Sequence, residues 1–357
     1  MVLAVCVAMV ACERAEARVR PDLFAVNGQG IPRLPAQARD AHLAAIRAAG
    51  IAMVRVDASW GAVEPVAPSG DQHNYRWGFY DDWVTALARH RLRWQATVDY
   101  SAPWAATTPG NWRTPPADPA AYAAVAGAFA ARYGHDGEFW SEHPELPYLP
   151  VLLWGIWNEP NASIFWFPQP EPARYAELLA HAAVAVKAAD RRARVLFGSM
   201  LSTQNPEWFV TEALRARPDL PKLLDGVAWH PYAYDDTGVI EQTRRFRRTL
   251  DRLGFAGLPL DITEFGWQSG VPDAWPEPTR AKMMWRLAAR LPRSDCNVRT
   301  IAAHTWLDET GAGYGIATAA ASLLHAGVGY VRGLARASAR RDSRVALCYP
   351  DRRSRSR

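Results

Sequence analysis

Short runs of β-branched and apolar residues recur along the chain, each followed by a longer stretch in which apolar positions return every three or four residues. The short runs cover 24–27, 51–57, 92–98, 149–155, 194–198, 226–229, 258–263 and 298–304, which makes eight candidate strands. The longer stretches cover 36–49, 77–90, 118–133, 172–189, 206–216, 239–253 and 277–291 and predict seven amphipathic helices. In the first of these Leu43, Ile46 and Ala49 share a face, and Gly50 follows as a C-cap. An eighth helix would have to come from about 320–336, where Gly327, Gly329 and Gly333 make a poor helix. Strands alternating with helices predict a parallel sheet with crossover helices, and eight such units predict an α/β fold of the (β/α)8 TIM-barrel type, as one domain over 22–330. A doubly wound sheet would want a glycine-rich phosphate turn after the first strand, and Asn27-Gly28-Gln29-Gly30 lacks the third glycine.

Composition agrees with this. The 357 residues exceed the roughly 250 that a barrel needs and leave room for long loops. Hydrophobic residues at 49% and charged residues at 22% supply a sizeable core and exclude general disorder. The outlier is tryptophan, with 16 copies, more than core filling asks for. Flat aromatic faces are what a site uses against the apolar faces of sugars.

The net charge of +5 points to nucleic acid only if it is spread or patched. Residues 331–357 carry nine Arg and two Asp, a net of +7, which leaves −2 for everything before them. The basicity thus belongs to the end of the chain, and no nucleic-acid partner is expected. An Arg-rich end without apolar periodicity reads as a disordered or aberrant tail over 331–357. Cys6, Cys12, Cys296 and Cys348 form no C-x-x-C pair, so neither a zinc site nor a disulfide framework is indicated. The opening apolar run is too short to span a bilayer, but with Ala15-Glu16-Ala17 it reads as a signal peptide over 1–17, with Cys12 as a possible site of lipid attachment. The expected destination is the periplasm or the exterior.

A barrel places its reacting groups just beyond the C-terminal ends of its strands, where eight loops surround one mouth. The fourth strand runs into Trp157-Asn158-Glu159-Pro160-Asn161, the sixth into His230-Pro231-Tyr232, the seventh into Glu264-Phe265-Gly266-Trp267, and the eighth toward Trp306. Glu159 and Glu264 are 105 residues apart, three β/α units of about 35, so they face each other across the mouth from strands four and seven. Hydrolysing a glycosidic bond with retention needs two carboxyl groups about 5–5.5 Å apart, one to give a proton and one to attack. Burial disfavours the charged form of each, and mutual repulsion raises one pKa further, which yields a neutral acid beside an ionised nucleophile.

These motifs carry a family resemblance. Trp157-Asn158-Glu159-Pro160-Asn161 resembles the acid/base motif of clan A glycoside hydrolases, and Ile262-Thr263-Glu264-Phe265-Gly266-Trp267 their nucleophile strand. With Val54-Arg55-Val56-Asp57, Ser59-Trp60, Val63-Glu64-Pro65, Ser101-Ala102-Pro103-Trp104 and His230-Pro231-Tyr232, the chain is most similar to glycoside hydrolase family 39 and its bacterial polysaccharide-cleaving relatives, family 5 being next. The likeness covers about 22–315 and lapses after Gly315, which is why closure by the eighth helix is in question.

The resemblance implies a retaining glycosidase with Glu159 as general acid/base and Glu264 as nucleophile. Asn158 would bond the sugar 2-hydroxyl, and His230 and Tyr232 would orient Glu264. Arg55 would keep Glu264 ionised, or else pair with Asp57. Trp306 would be the platform under the reacting sugar, and Trp60, Trp104 and Trp267 would line neighbouring subsites or pack in the core. The partner is a carbohydrate, with no cofactor and no metal, because no His/Asp/Glu cluster has ligand spacing along the chain. The 57-residue interval from 92 to 149 and the many loop aromatics favour an open cleft for a polysaccharide. An exo-acting β-xylosidase, a family 5 cellulase or mannanase, and a carbohydrate-binding barrel without turnover are the alternatives.

Overall fold

The computed structural model describes residues 23–70, 72–308, 310–339 and 344–349. Eight parallel strands, β1 (Phe24–Asn27), β2 (Met53–Ser59), β3 (Arg93–Asp99), β4 (Leu153–Ile156), β5 (Arg194–Leu201), β6 (Gly226–His230), β7 (Leu260–Ile262) and β8 (Val298–Ala303), close into a barrel in sequence order. The major helices are α1 (Ala36–Ala48), α2 (Gly78–Arg89), α3 (Pro119–Tyr133), α4 (Pro172–Ala189), α5 (Pro206–Ala216), α6 (Asp236–Leu250), α7 (Glu277–Arg290) and α8 (His325–Ala339). All eight expected strands form. Among those that start late, β4 and β7 follow prolines: Pro150 and Pro259 have no N–H to give a ladder, and β4 begins at Leu153 and β7 at Leu260. α6 ends in a wide turn, Asp251–Phe255, where Gly254 takes φ 90°, a value glycine adopts without a Cβ clash.

The sheet's period of two explains how an apolar barrel ends in a polar mouth. Ala25, Met53, Leu153, Leu196, Ala228 and Ala302 form one small cluster, separate from the large core in which Phe24, Val26, Val54 and Val56 pack under the helices. Two residues further along, the same face of each strand carries Asn27, Arg55, Gly155 and His230. Two further still, β2 reaches Asp57. Small apolar side chains make a dry floor, and the polar ones above it are forced toward one another.

The seam between β1 and β8 is sealed by α8. The Tyr330 hydroxyl lies 2.7 Å from the Ala25 carbonyl oxygen and 2.8 Å from that of Ile301, one on each side of the seam. The three glycines that argued against this helix are what allow it to sit there. A Cβ at Gly329 would run into the Ala281 carbonyl of α7, and one at Gly333 would come within 2.6 Å of the Ala288 side chain. Each glycine costs about 1 kcal/mol of helix propensity, and close backbone approach to α7 offsets it.

The tail and cysteine expectations need correction. α8 runs through 331–339, past the expected boundary at 330, and residues 344–349 are docked rather than disordered. Cys348 forms a disulfide with Cys296, 52 residues earlier, just before β8. The Asp295 carboxylate accepts the backbone N–H groups of Leu347, Cys348 and Tyr349 at 2.7–3.1 Å. Arg244 and Arg248 of α6 donate to the carbonyls of Leu347 and Cys348. Four cysteines without a recognisable spacing did not reveal this bond, because the partners meet only once the barrel is built. The signal-peptide reading, with Cys6 and Cys12, lies outside the described residues, as do 340–343 and 350–357. Cys348→Ser is expected to remove about 2–4 kcal/mol, mainly by freeing the 52-residue loop in the unfolded chain. Thermal melts of the wild type with and without reductant, beside those of the variant, check it.

Candidate active site

Glu159 leaves β4 through an unusual turn. Trp157 at φ 64° and Glu159 at φ 45° both have left-handed backbones, which a bulky residue rarely adopts and which cost on the order of 1–3 kcal/mol each. Asn158 between them pairs with Ser199 of β5, and its N–H donates to the Asp99 carboxylate at 3.1 Å, so the turn is held from both neighbouring strands. Strain this well supported at the mouth marks a side chain that must point one way. Glu264 follows β7, where the register with β8 shifts between Leu260 and Asp261.

The two carboxyl groups meet. One oxygen of Glu159, one of Glu264 and a ring nitrogen of His230 all lie within 4.8 Å of one another, and all three residues are buried. Glu264 is held from every side. Arg55 Nη1 donates to Oε1 at 2.5 Å, Asn27 Nδ2 to the same oxygen at 3.0 Å, and the Tyr232 hydroxyl to Oε2 at 2.9 Å. The second Arg55 nitrogen donates to Asn158 Oδ1 at 2.8 Å, so one guanidinium fork ties the β7 carboxylate to the β4 turn. Of the two partners open to Arg55, Glu264 makes the bond. Asp57 acts on Arg55 through its charge alone.

Burial alone would push the Glu264 carboxyl up. The His230 and His304 rings, the Arg55 charge and the Tyr232 hydrogen bond outweigh it and hold the group well below the usual carboxylate range. Burial, followed by the Glu264 and Glu159 charges, raises the Tyr232 phenol, so it stays a donor. Burial also pushes Asp99 well above the carboxylate range, with Asp57 beside it adding to the effect. His304 is lowered by burial, against the pull of the Glu264 charge.

His230 sits differently from expectation. Its Nδ1 is 2.6 Å from Glu159 Oε1 and 3.5 Å from Glu264 Oε2, and its Nε2 is 2.9 Å from the Thr263 hydroxyl. It therefore bonds Glu159 and stands between the two acids, while the Tyr232 hydroxyl donates to Glu264.

The tryptophans divide. Trp306 is fully buried, its N–H on His42 of α1, so it cannot be a sugar platform. β8 ends at Ala303, and the residue that faces the mouth is His304, with Nδ1 3.5 Å from Glu264 Oε2. Trp60 is also fully buried, donating to Glu64 at 2.8 Å and packed edge-on against Trp104. It is a core residue. Trp104 is half-buried and donates to the Glu64 carbonyl, and Trp267, with its N–H on the Ala233 carbonyl, lines a cavity beside Tyr232.

Three site residues were missed: Asn27, Asp99 and His304. Each ends or directly follows a strand, so the rule that found Glu159 and Glu264 would have found them if applied to every strand end. Among the described residues, Glu159, His230 and Glu264 are also within the span of a metal site. Arg55 already supplies a fixed cation to Glu264 there, and the other such cluster, Asp295 with Cys296 and Cys348, has both sulfurs in the disulfide. Among the described residues no helix is long and apolar enough to cross a membrane.

Arg55→Met is expected to raise the Glu264 pKa, because the charge that favours the ionised form is gone. Glu264 would then take up its proton at higher pH, read as an upward shift in the midpoint of its carboxyl titration. A pH profile of the variant beside Arg55→Lys, which keeps the charge, checks the sign.

No protein-family model matches the sequence, and no curated protein matches it. Solved structures do match in fold. A monomeric β-xylosidase from Caulobacter crescentus superposes with a TM-score of 0.65 at 18% identity, over 90% of this chain and 69% of that one. A GH39 enzyme from Xanthomonas axonopodis pv. citri gives 0.64 at 19% identity, over 88% of this chain and 66% of that one. A GH5 subfamily 18 protein from Streptomyces cattleya, solved in complex with GlcNAc, gives 0.62 at 16% identity, over 92% and 83%. The chain spans about two thirds of the length of the first two. Its fold is a closed (β/α)8 barrel, similar to the barrels of these three proteins.

Proposed function

We propose that the chain is a retaining β-glycosidase that works by double displacement, with Glu264 as nucleophile and Glu159 as general acid/base. The observation that carries this reading is the pair of buried acids with oxygens within 4.8 Å, one of them locked in its ionised form. An inverting pair stands about 6.5–9.5 Å apart to admit a water, whereas a retaining pair stands about 5–5.5 Å apart. In the first step a Glu264 oxygen bonds the anomeric carbon, the bond to the leaving oxygen breaks, and Glu159 gives that oxygen its proton. In the second, Glu159 takes a proton from water, the water oxygen bonds the same carbon, and Glu264 leaves. Asn158, fixed by Arg55, would bond the 2-hydroxyl, a contact that strengthens as positive charge builds on the ring.

The substrate class is a β-linked oligo- or polysaccharide. Structural similarity to a β-xylosidase supports xylosides among the candidates. The disulfide supports the proposed export, since such bonds persist in oxidising compartments. The test is hydrolysis of 4-nitrophenyl β-xyloside, β-glucoside and β-galactoside, followed by proton NMR from the first seconds. The β-anomer should appear first and then mutarotate. Initial release of the α-anomer would overturn the reading.

A further inference from the structure

Beside the carboxylates the mouth holds a cavity of about 340 Å³, between the loops that follow β6 and β7. Tyr232 and Tyr314, rings 5.9 Å apart, form its inner wall and share the Glu264 environment. Its outer wall is Tyr234 and Trp275, whose rings are 4.8 Å apart at a tilt of 57°. Tyr234 is 76% exposed, the most exposed of the large hydrophobic residues described. A single exposed tyrosine needs no explanation. This one differs, because its loop is pinned: Trp267 donates to the carbonyl of Ala233 and Trp275 to that of Tyr234, each at 2.8 Å. With both indole N–H groups engaged, the rings offer the cavity their faces and edges. Gln268 and Asp273 add an amide and a carboxylate, and Asp273 is set by a left-handed backbone at φ 61°. Among the described residues no Lys or Arg lines the cavity.

We propose that this cavity is a second sugar subsite, which takes one neutral pyranose of a β-linked oligosaccharide while the neighbouring sugar sits between Glu159 and Glu264. The proposal rests on the glycosidase reading for the substrate but on separate residues for the contact. A pyranose carries an apolar C–H face for the Tyr234 and Trp275 rings and hydroxyls for Gln268 and Asp273. The volume lies at the low end of small-molecule sites, roughly 300–1,000 Å³, which fits one ring. A carboxylate at the rim and the lack of a lining cation select against uronic or phosphorylated sugars.

The test is calorimetric titration of the Glu264→Gln protein, in which binding is read without turnover, using xylotetraose, cellotetraose and the β-1,4-linked acidic tetramannuronate. A neutral tetrasaccharide should bind and the acidic one should not. Adding Trp275→Ala or Tyr234→Ala should weaken tetrasaccharide and disaccharide binding about fivefold to tenfold and monosaccharide binding much less. Thermal melts confirm that each variant is folded, and Tyr234, being exposed, removes no core contact. Equal affinities with and without the aromatic pair, or no binding of any tetrasaccharide, would overturn the subsite. Failure of the glycosidase reading is recorded separately, as absence of hydrolysis by the wild type.

Discussion

Glu264→Gln is expected to lower kcat by roughly 10⁴-fold or more, the scale seen when a covalent nucleophile is removed. An amide of the same shape can still take the Tyr232 hydrogen bond, but it cannot bond the anomeric carbon. The change also removes the charge that Arg55 contacts at 2.5 Å. Breaking a buried pair from one side costs about 3–5 kcal/mol. Here Asp57, whose charge also acts on Arg55, reduces that cost. Activity should therefore vanish while a cooperative melt remains. Turnover within tenfold of wild type would mean that Glu264 does not attack the sugar.

Glu159→Ala is expected to cost about 10²–10⁴-fold in kcat/KM on substrates with poor leaving groups. Aryl glycosides that leave without a proton should lose much less in the first step and stall in the second, where Glu159 activates water. Azide, which needs no general base, should restore turnover and give a β-glycosyl azide. That combination separates a proton donor from a residue that only supports the turn at Trp157. Equal loss on all leaving groups without azide rescue would assign Glu159 a structural role.

Much of the barrel could be read along the chain because each strand is a short β-branched run and each helix repeats every three to four residues. The carboxylates could be read because a closed barrel turns the question of where they are into which strand they follow. Tryptophan had no such logic. Residue type does not say whether a ring just past a strand turns into the mouth or under the helices, so Trp306 looked like a platform and Trp60 like a subsite wall or core packing, and both are buried in the core. Helix propensity undervalued α8 for the opposite reason: its glycines are set by the α7 backbone they touch, a tertiary fact. Residues 344–349 looked unstructured because their order comes from Asp295, Arg244 and Cys296, all distant in sequence.

The most direct test of the central claim is covalent. Incubation with an activated 2-fluoro β-glycoside, chosen from the hydrolysed panel, slows release of the glycosyl-enzyme, and peptide mass mapping then locates the label. The account predicts one 2-fluoroglycosyl group on the peptide that contains Glu264, lost in Glu264→Gln and retained in Glu159→Ala. A label on another residue, or active enzyme that never carries one, would contradict it.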